Sequence, residues 1–546
     1  MNKKPDYGAL LAGVDFSDEQ SLLRYAEHLE GMTFREVLEL GIFSPKALER
    51  HERALAKEKS YARAAFKGGV GNLVEERYFA YDANSDDRPD FAEAGVELKT
   101  TCYDLKQASG KKSRSKKNAG QVPSAGERLS VTMIPFDRNL TLEFDSSHFW
   151  EKCRRILLVY YQRDRTIDKY DQVIRYVTLF TPPEEDLQII REDYRTIVEL
   201  VREGRADELS EGITTYLGAA TKGASEAKMW VTQHYPRVHE DGSVEYRKAK
   251  RRVFSLKCQY MDFVLNHYVI PEREKARRQA EYDHERRQWK PTVEYGSDET
   301  NTIIKMPLSH GETFEDRLRE LVGRYVGKSD RELCELFGLS YGSENKSGWA
   351  ALNRRILGVL GPEADEFKKA NIKARAIRVE ENGNIEQHIP LKPFKFLDLA
   401  AEEDWETSEL HEELETQKFF FTVFRKKDGV YYLRGALLWS MPEHDVEGEA
   451  RRCWERAREV VRRGVTLEPD TNVAGARVMN DLPGSGENHV LHVRPHASRS
   501  AYLFADGSSR GNIQKDAYPL PDGRWMTRQS FWIDKACVRP LLSKII

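Results

Sequence analysis

Asp90, Glu97 and Lys99 stand in a D-x6-ExK spacing, the first directly after Pro89. On a β-strand successive side chains alternate, so Glu97 and Lys99 share one face while Val96, Leu98 and Thr100 point the other way. A carboxylate and an ammonium then lie on one surface with an apolar anchor between them. If Asp90 reaches that face from the preceding turn, two hard oxygen ligands can hold a Mg2+ ion that keeps several waters. Such an ion polarises a phosphodiester and makes a bound water more acidic, while Lys99 can orient that water and offset charge developing at phosphorus. The spacing alone leaves a second reading open, because exposed strands often carry Glu and Lys for solubility.

The surrounding pattern indicates which elements would position these groups. Apolar residues recur with helical spacing from Ser21 to Leu55, and again from Gly71 to Tyr81, with Val70, Leu73, Val74 and Tyr78 on one side. Val96 to Tyr103 and Leu140 to Phe144 alternate as strands do. Ile156 to Tyr161 is continuously apolar and predicts a buried central strand. TPPEEDL places a cap at Thr181, prolines in the first turn and acids near the amino end of a helix reaching about Arg205. Helices and strands mix, which gives an α/β or α+β class. The glycine-rich KGGVG at Lys67 lacks the GxxxxGK spacing of a nucleotide-binding loop.

A chain of 546 residues exceeds one ordinary core, so two or more are expected. At 40% hydrophobic and 32% charged it has the composition of a soluble protein. No run approaches the roughly eighteen apolar residues of a membrane span, and the acidic start MNKKPDYGALLAGVDFSDEQ is unlike a signal peptide. A cytoplasmic location without membrane association is expected. The six cysteines include no CxxC pair, which predicts reduced and mostly buried thiols. The net charge of -3 does not advertise nucleic acid, but Lys106 to Lys117, KQASGKKSRSKK, is a local basic run. By itself it reads as a solvated loop; beside a DNA site it would order on phosphates.

Composition changes between Pro271 and Arg317, where a charged helix-prone piece leads to Pro291 and Gly296. Expected boundaries are a first domain over 1–270, a linker over 271–310 and a second domain over 311–546. Beyond the linker the chain repeats itself in order. MTFREVLELG from Met32 pairs with KSDRELCELFG from Lys328, and KGGVGNLVEE from Lys67 with KSGWAALNRR from Lys346. PDFAEAGVELKTT from Pro89 pairs with DEFKKANIKARAI from Asp365, RRILLVYY from Arg154 with QKFFFTVF from Gln417, and RRVFSLKCQYM from Arg251 with GRWMTRQSFWI from Gly523.

Between Met32 and Tyr268, FKGGVGNLVEE, RPDFAEAGVELKTT, SSHFWEKCRRILLV, YLGAATKGASEAK and FSLKCQYM occur in an order that resembles the MutH family of DNA endonucleases. That family joins the mismatch-repair nicking enzyme to the two-domain Sau-type restriction endonucleases that cut at GATC. The resemblance implies a restriction-endonuclease-like α/β core of PD-(D/E)xK type, present twice, with the second copy catalytically degenerate. It implies Mg2+ as cofactor and double-stranded DNA as partner. Asp90 and Glu97 match the metal-binding acids, Lys99 the catalytic lysine and Glu75 a further active-site acid. Lys152 matches a lysine near the scissile phosphate, and Lys67 and Gly68 a backbone turn that approaches DNA. Lys222 matches the base-contacting lysine, which can donate to guanine O6 and N7. Ala220 departs from the nicking member, which has arginine there.

In the second copy Glu366, Lys373, Arg375 and Arg354 replace Asp90, Glu97, Lys99 and Glu75. Three basic residues would repel a cation, so cleavage there is not expected. Arg494 and His496 match the family's base-reading positions and imply retained DNA binding. His489, His492 and His496 also raise a metal-site reading, but they lie in an extended stretch with no evident fourth ligand, which favours DNA contact. The resemblance thus implies a type II restriction endonuclease with an allosteric carboxy-terminal DNA binder. One active domain per chain implies transient pairing of two chains, DNA looping between two sites, or sequential nicking. The alternatives are a mismatch-repair nickase and a non-catalytic DNA-binding regulator.

Overall fold

The computed structural model describes residues 6–55, 69–82, 88–107, 121–222, 229–271, 301–309, 311–340, 346–385, 387–469, 478–543 and 545. The chain divides into two compact units, one of 1–297 with 368–370, the other of 298–367 with 371–546. The proposed linker, 271–310, lies largely outside the described residues.

The first unit contains a four-stranded sheet in the order β2-β1-β4-β5, built from β1 (Glu97–Gln107), β2 (Gln121–Ala125), β4 (Ile156–Gln162) and β5 (Val173–Phe180). β1 runs parallel to β4, with Glu97 opposite Ile156, whereas β4 and β5 are antiparallel. The apolar run Ile156–Tyr160 is buried throughout because β4 lies between two strands with both faces covered. A second sheet contains β3 (Leu129–Met133), β6 (Leu217–Thr221) and β7 (Arg252–Leu256), with β7 central and antiparallel to both neighbours. Helices α1 (Val70–Arg77), α2 (His148–Cys153) and α3 (Glu184–Arg202) accompany these sheets. Leu73 and Val74 of α1 pack in one core with Val96, Leu98, Leu157 and Val177.

Several local expectations change. The helical stretch Ser21–Leu55 is three α-helices, Glu19–Ala26, Phe34–Glu39 and Pro45–Leu55. The breaks fall at Gly31, φ 91°, and Gly41, φ 74°, a left-handed backbone that ends a helix. Leu140–Phe144 is no strand. Leu140 and Phe144 are buried anchors of a loop that leads into α2, whose N-cap Ser147 accepts from the Trp150 N–H. Helix α3 begins at Glu184 behind Pro183, while the Thr181 hydroxyl donates to the Arg154 carbonyl at 2.8 Å instead of capping.

The second unit contains β8 (Ile372–Val379), β10 (Lys418–Lys427) and β11 (Val430–Trp439) in one sheet, with β8 parallel to β10 and β10 antiparallel to β11. A further sheet places β13 (Gln529–Ile533) between β9 (Ile389–Phe394) and β12 (Leu491–Pro495). Helix α4 (Glu409–Thr416) precedes β10, and α5 (Lys535–Leu542) follows β13. Phe419 and Phe421 are buried in one core with Trp405, Trp439 and Trp454, while Phe420 is buried against Phe367. All six cysteines are free thiols, four of them buried. Among the described residues no helix is long and apolar enough to cross a membrane.

Candidate active site of the first unit

The amino end of β1 gathers the predicted acids and lysines. Phe91 and Val96 exchange backbone hydrogen bonds across a tight turn, in which Gly95 adopts φ 66°. That turn folds Asp90 back onto the strand: its Oδ2 accepts from the Leu98 N–H at 2.9 Å, and its own N–H donates to Glu97 Oε2 at 3.2 Å. Strand alternation then sorts the neighbours. Val96 and Leu98 enter the core, while Lys99 Nζ donates to Glu97 Oε1 at 2.5 Å.

Lys152 arrives from α2, whose Ser147 cap fixes the first turn. Its ammonium lies 3.4 Å from Glu97 Oε2. Glu97 is 1% exposed. A carboxylate taken so far from water costs several kcal/mol unless paired, and two lysines supply that pairing.

Glu75 on α1 completes the electrostatic cluster. Burial first, then the Asp90 charge, pushes its carboxyl up to about 7 against the pull of Lys99. Asp90 is raised for the same two kinds of reason, burial and then Glu97. Burial acts against the Lys99 charge, yet Glu97, Asp90 and Glu75 together outweigh it and hold the ammonium above its ordinary value. Three carboxylates facing two lysines leave an excess of negative charge that a divalent cation would relieve. The second oxygen of Asp90 and the Glu97 carboxylate suit an oxygen-seeking ion such as Mg2+. Asp90, Glu97, Lys99, Glu75 and Lys152 are therefore brought into one cluster.

The remaining predicted residues lie elsewhere. Lys67 and Gly68 are outside the described residues, as is 108–117 of the basic run. Lys222 is exposed just past β6, its N–H donating to the Arg251 carbonyl at 3.2 Å. Arg494 is exposed on β12 with its guanidinium 5.5 Å above the Trp532 ring, and His496 Nδ1 is 2.5 Å from Ser530 Oγ.

The sequence reading missed the support beneath the Lys222 strand. Asp193 accepts from the Thr215, Tyr216 and Leu217 amides at 2.6, 2.5 and 2.9 Å. Arg252 donates to the Ala219 carbonyl at 2.8 Å. Asp193 had a signal: it is a carboxylate on the apolar face of α3, among Ile189, Ile190 and Ile197, where only a captured hydrogen-bond network tolerates it.

A family model described as the DNA mismatch repair enzyme MutH matches residues 79–193, a span that contains Asp90, Glu97, Lys99 and Lys152. The type II restriction enzyme Sau3AI of Staphylococcus aureus is 30% identical over 510 residues, which cover 88% of this chain and 93% of that protein. MutH proteins of Shigella boydii serotype 18 and Escherichia coli O127:H6 are each 26% identical over 211 residues, covering 38% of this chain and 77% of theirs. Mixed α/β architecture and a MutH domain thus define the class. The chain belongs to the MutH-related family that includes the Sau3AI restriction enzyme.

Proposed function

We propose that this protein is a Mg2+-dependent type II restriction endonuclease that cuts both strands of DNA at GATC, with catalysis in the first unit and DNA binding in the second. The observation that carries the reading is the buried Glu97 carboxylate, flanked by Asp90 on its own turn and contacted by Lys99 and Lys152. Likeness to a restriction enzyme over 88% of the chain supports it, whereas likeness to the mismatch-repair proteins covers 38%.

Asp90 and Glu97 would hold Mg2+, which when bound supplies positive charge against the phosphodiester. Lys99 presents its ammonium on the same strand face, where it can orient an attacking water and offset charge on the phosphoryl oxygens. Lys152 neutralises the far side of Glu97 and can reach a phosphate. Glu75, pushed up to about 7, can exchange a proton near neutral pH. Lys222 would contact base edges in the major groove.

The second unit reads as a copy that has lost cleavage. Each unit has a strand parallel to a second that is antiparallel to a third. Gly95 and Asn371 precede the first strand at φ 66° and 52°, and Ser147 and Ser408 cap the helix before the second. Charges are exchanged across the equivalent pair. Lys152 faces Glu97 in one unit, and Glu413 lies 3.4 Å from Lys373 in the other. Glu366, at the position of Asp90, is occupied by the Ile303 and Ile304 amides. Burial lowers the Arg375 guanidinium from its ordinary value, and burial does the same to Lys373 despite Glu413. That environment disfavours cations. One pairing expected from the sequence shifts: β13, which occupies the central place held by β7, ends at Ile533, so Leu256 matches Ile533 and not Arg528.

Digestion of unmethylated plasmid with Mg2+, followed by sequencing of the ends, tests the reading. Breaks at GATC are expected. Glu97→Ala should lower cleavage by about 10³-fold or more and leave DNA retardation in a gel intact. Random ends, persistent nicks only, or an active Glu97→Ala enzyme would remove the proposal.

A further inference from the structure

The second unit holds a cluster that its proposed DNA role does not use. His388, His492 and Asp534 each offer one ligand atom, and these atoms lie within 4.8 Å of one another. Each lies on or directly beside a different strand of one sheet. Ile389 and Leu491 both pair with Ile533, so His388 directly precedes β9, His492 lies second on β12, and Asp534 directly follows β13. Asp534 is also the N-cap of α5: its Oδ1 accepts from the Ala536 N–H at 2.8 Å, which orients the carboxylate. Its Oδ2 lies 3.3 Å from His388 Nδ1 and 3.2 Å from His492 Nδ1.

His492 is fully buried, and neither ring nitrogen has a hydrogen-bond partner of acceptable geometry. A buried polar atom left unmade costs about 1–3 kcal/mol, so this imidazole is either a defect or a ligand. Burial first, then the His388 charge, holds it down to about 4, which leaves it neutral, the form that ligates metals, at ordinary pH. Burial lowers the His388 imidazole too, against the pull of Asp534, with Arg494 and Lys535 adding positive potential. Two neutral imidazoles and one oriented carboxylate suit a borderline transition ion better than Mg2+, which takes oxygen ligands.

We propose that His388, His492 and Asp534 form a zinc-type metal site that ties together β9, β12 and β13 at one end of their sheet. The site is independent of the nuclease reading, since none of its ligands belongs to the first-unit cluster and its readout is metal binding, not cleavage. Its expected effect is structural: the ion fixes the strand that carries Arg494 and leads to His496.

The test uses the full chain carrying Glu97→Ala, which removes the other cation site, stripped with chelator and titrated with Zn2+ against a chromophoric competitor. One tight equivalent is expected, with a rise in melting temperature on its addition. His388→Ala, at the partly buried rim, should weaken that equivalent on the order of 100-fold. Asp534→Asn should weaken it while keeping the helix cap, because asparagine caps as well as aspartate; far-UV circular dichroism checks that both variants fold. Absence of a tight equivalent, or an equivalent that both variants retain, overturns the proposal.

Discussion

At the residue scale, the first-unit cluster stores repulsion that a cation or a proton must relieve. Glu75 shows the consequence best, because its carboxyl is held near 7 where the unfolded chain has an ordinary value near 4.5. Between those values the folded state binds a proton that the unfolded state has released, so stability falls as pH rises through the window. The whole contribution, about 3 kcal/mol, is lost above it. In metal-free protein the melting temperature of Glu75→Gln should therefore overtake that of the native chain as pH rises from about 5 to about 8. Mg2+ favours the ionised form, so its addition should raise the native melting temperature more at about pH 8 than at about pH 6. Parallel curves for the two proteins would mean that Glu75 does not sense Asp90 and the cation.

At the scale of elements, the turn before β1 decides whether two acids act as one site. Gly95 adopts φ 66°, and a Cβ there would meet the Arg154 guanidinium at 2.8 Å. Gly95→Ala should cost about 1–2 kcal/mol from the left-handed backbone, with some relief as the Arg154 side chain moves. Thermal unfolding would read that loss. Cleavage should drop further than stability explains, because the same turn returns Asp90 to the Leu98 amide; a variant with native activity would separate the turn from catalysis. How much was legible follows the same physics. The ExK pair was readable because strand period alone fixes which side chains share a face, and Ile156–Tyr160 because continuous burial leaves an apolar run. Helix breaks at Gly31 and Gly41 were missed because apolar spacing persists across a left-handed residue. Leu140–Phe144 misled because two anchors of a loop alternate as a strand does, and only the absence of a partner strand tells them apart. The His388, His492 and Asp534 cluster was illegible: sequence put His492 beside His489 and His496, while its neighbours come from strands far away in the chain.

At the scale of the whole molecule, the proposed reading asks one cluster capable of cleavage to serve a recognition sequence with two-fold symmetry. Cutting both strands of one palindrome in a single event requires two such clusters to meet, and on the proposed reading each chain brings one. If the second unit binds DNA as proposed, it raises the local concentration of a second bound site, which favours the pairing of two chains on one plasmid. A supercoiled plasmid with two GATC sites should then be cut on the order of tenfold faster per site than a plasmid with one, and an oligonucleotide carrying GATC should restore the slower rate when added in trans. Arg494→Ala should abolish that advantage and leave the single-site rate unchanged, because Arg494 lies on β12 in the second unit. The advantage should also shrink steeply with salt, since phosphate contacts release counterions on binding. Equal rates on the two plasmids would mean that the second unit does not report a second site to the first, and its retained arginine would need another explanation.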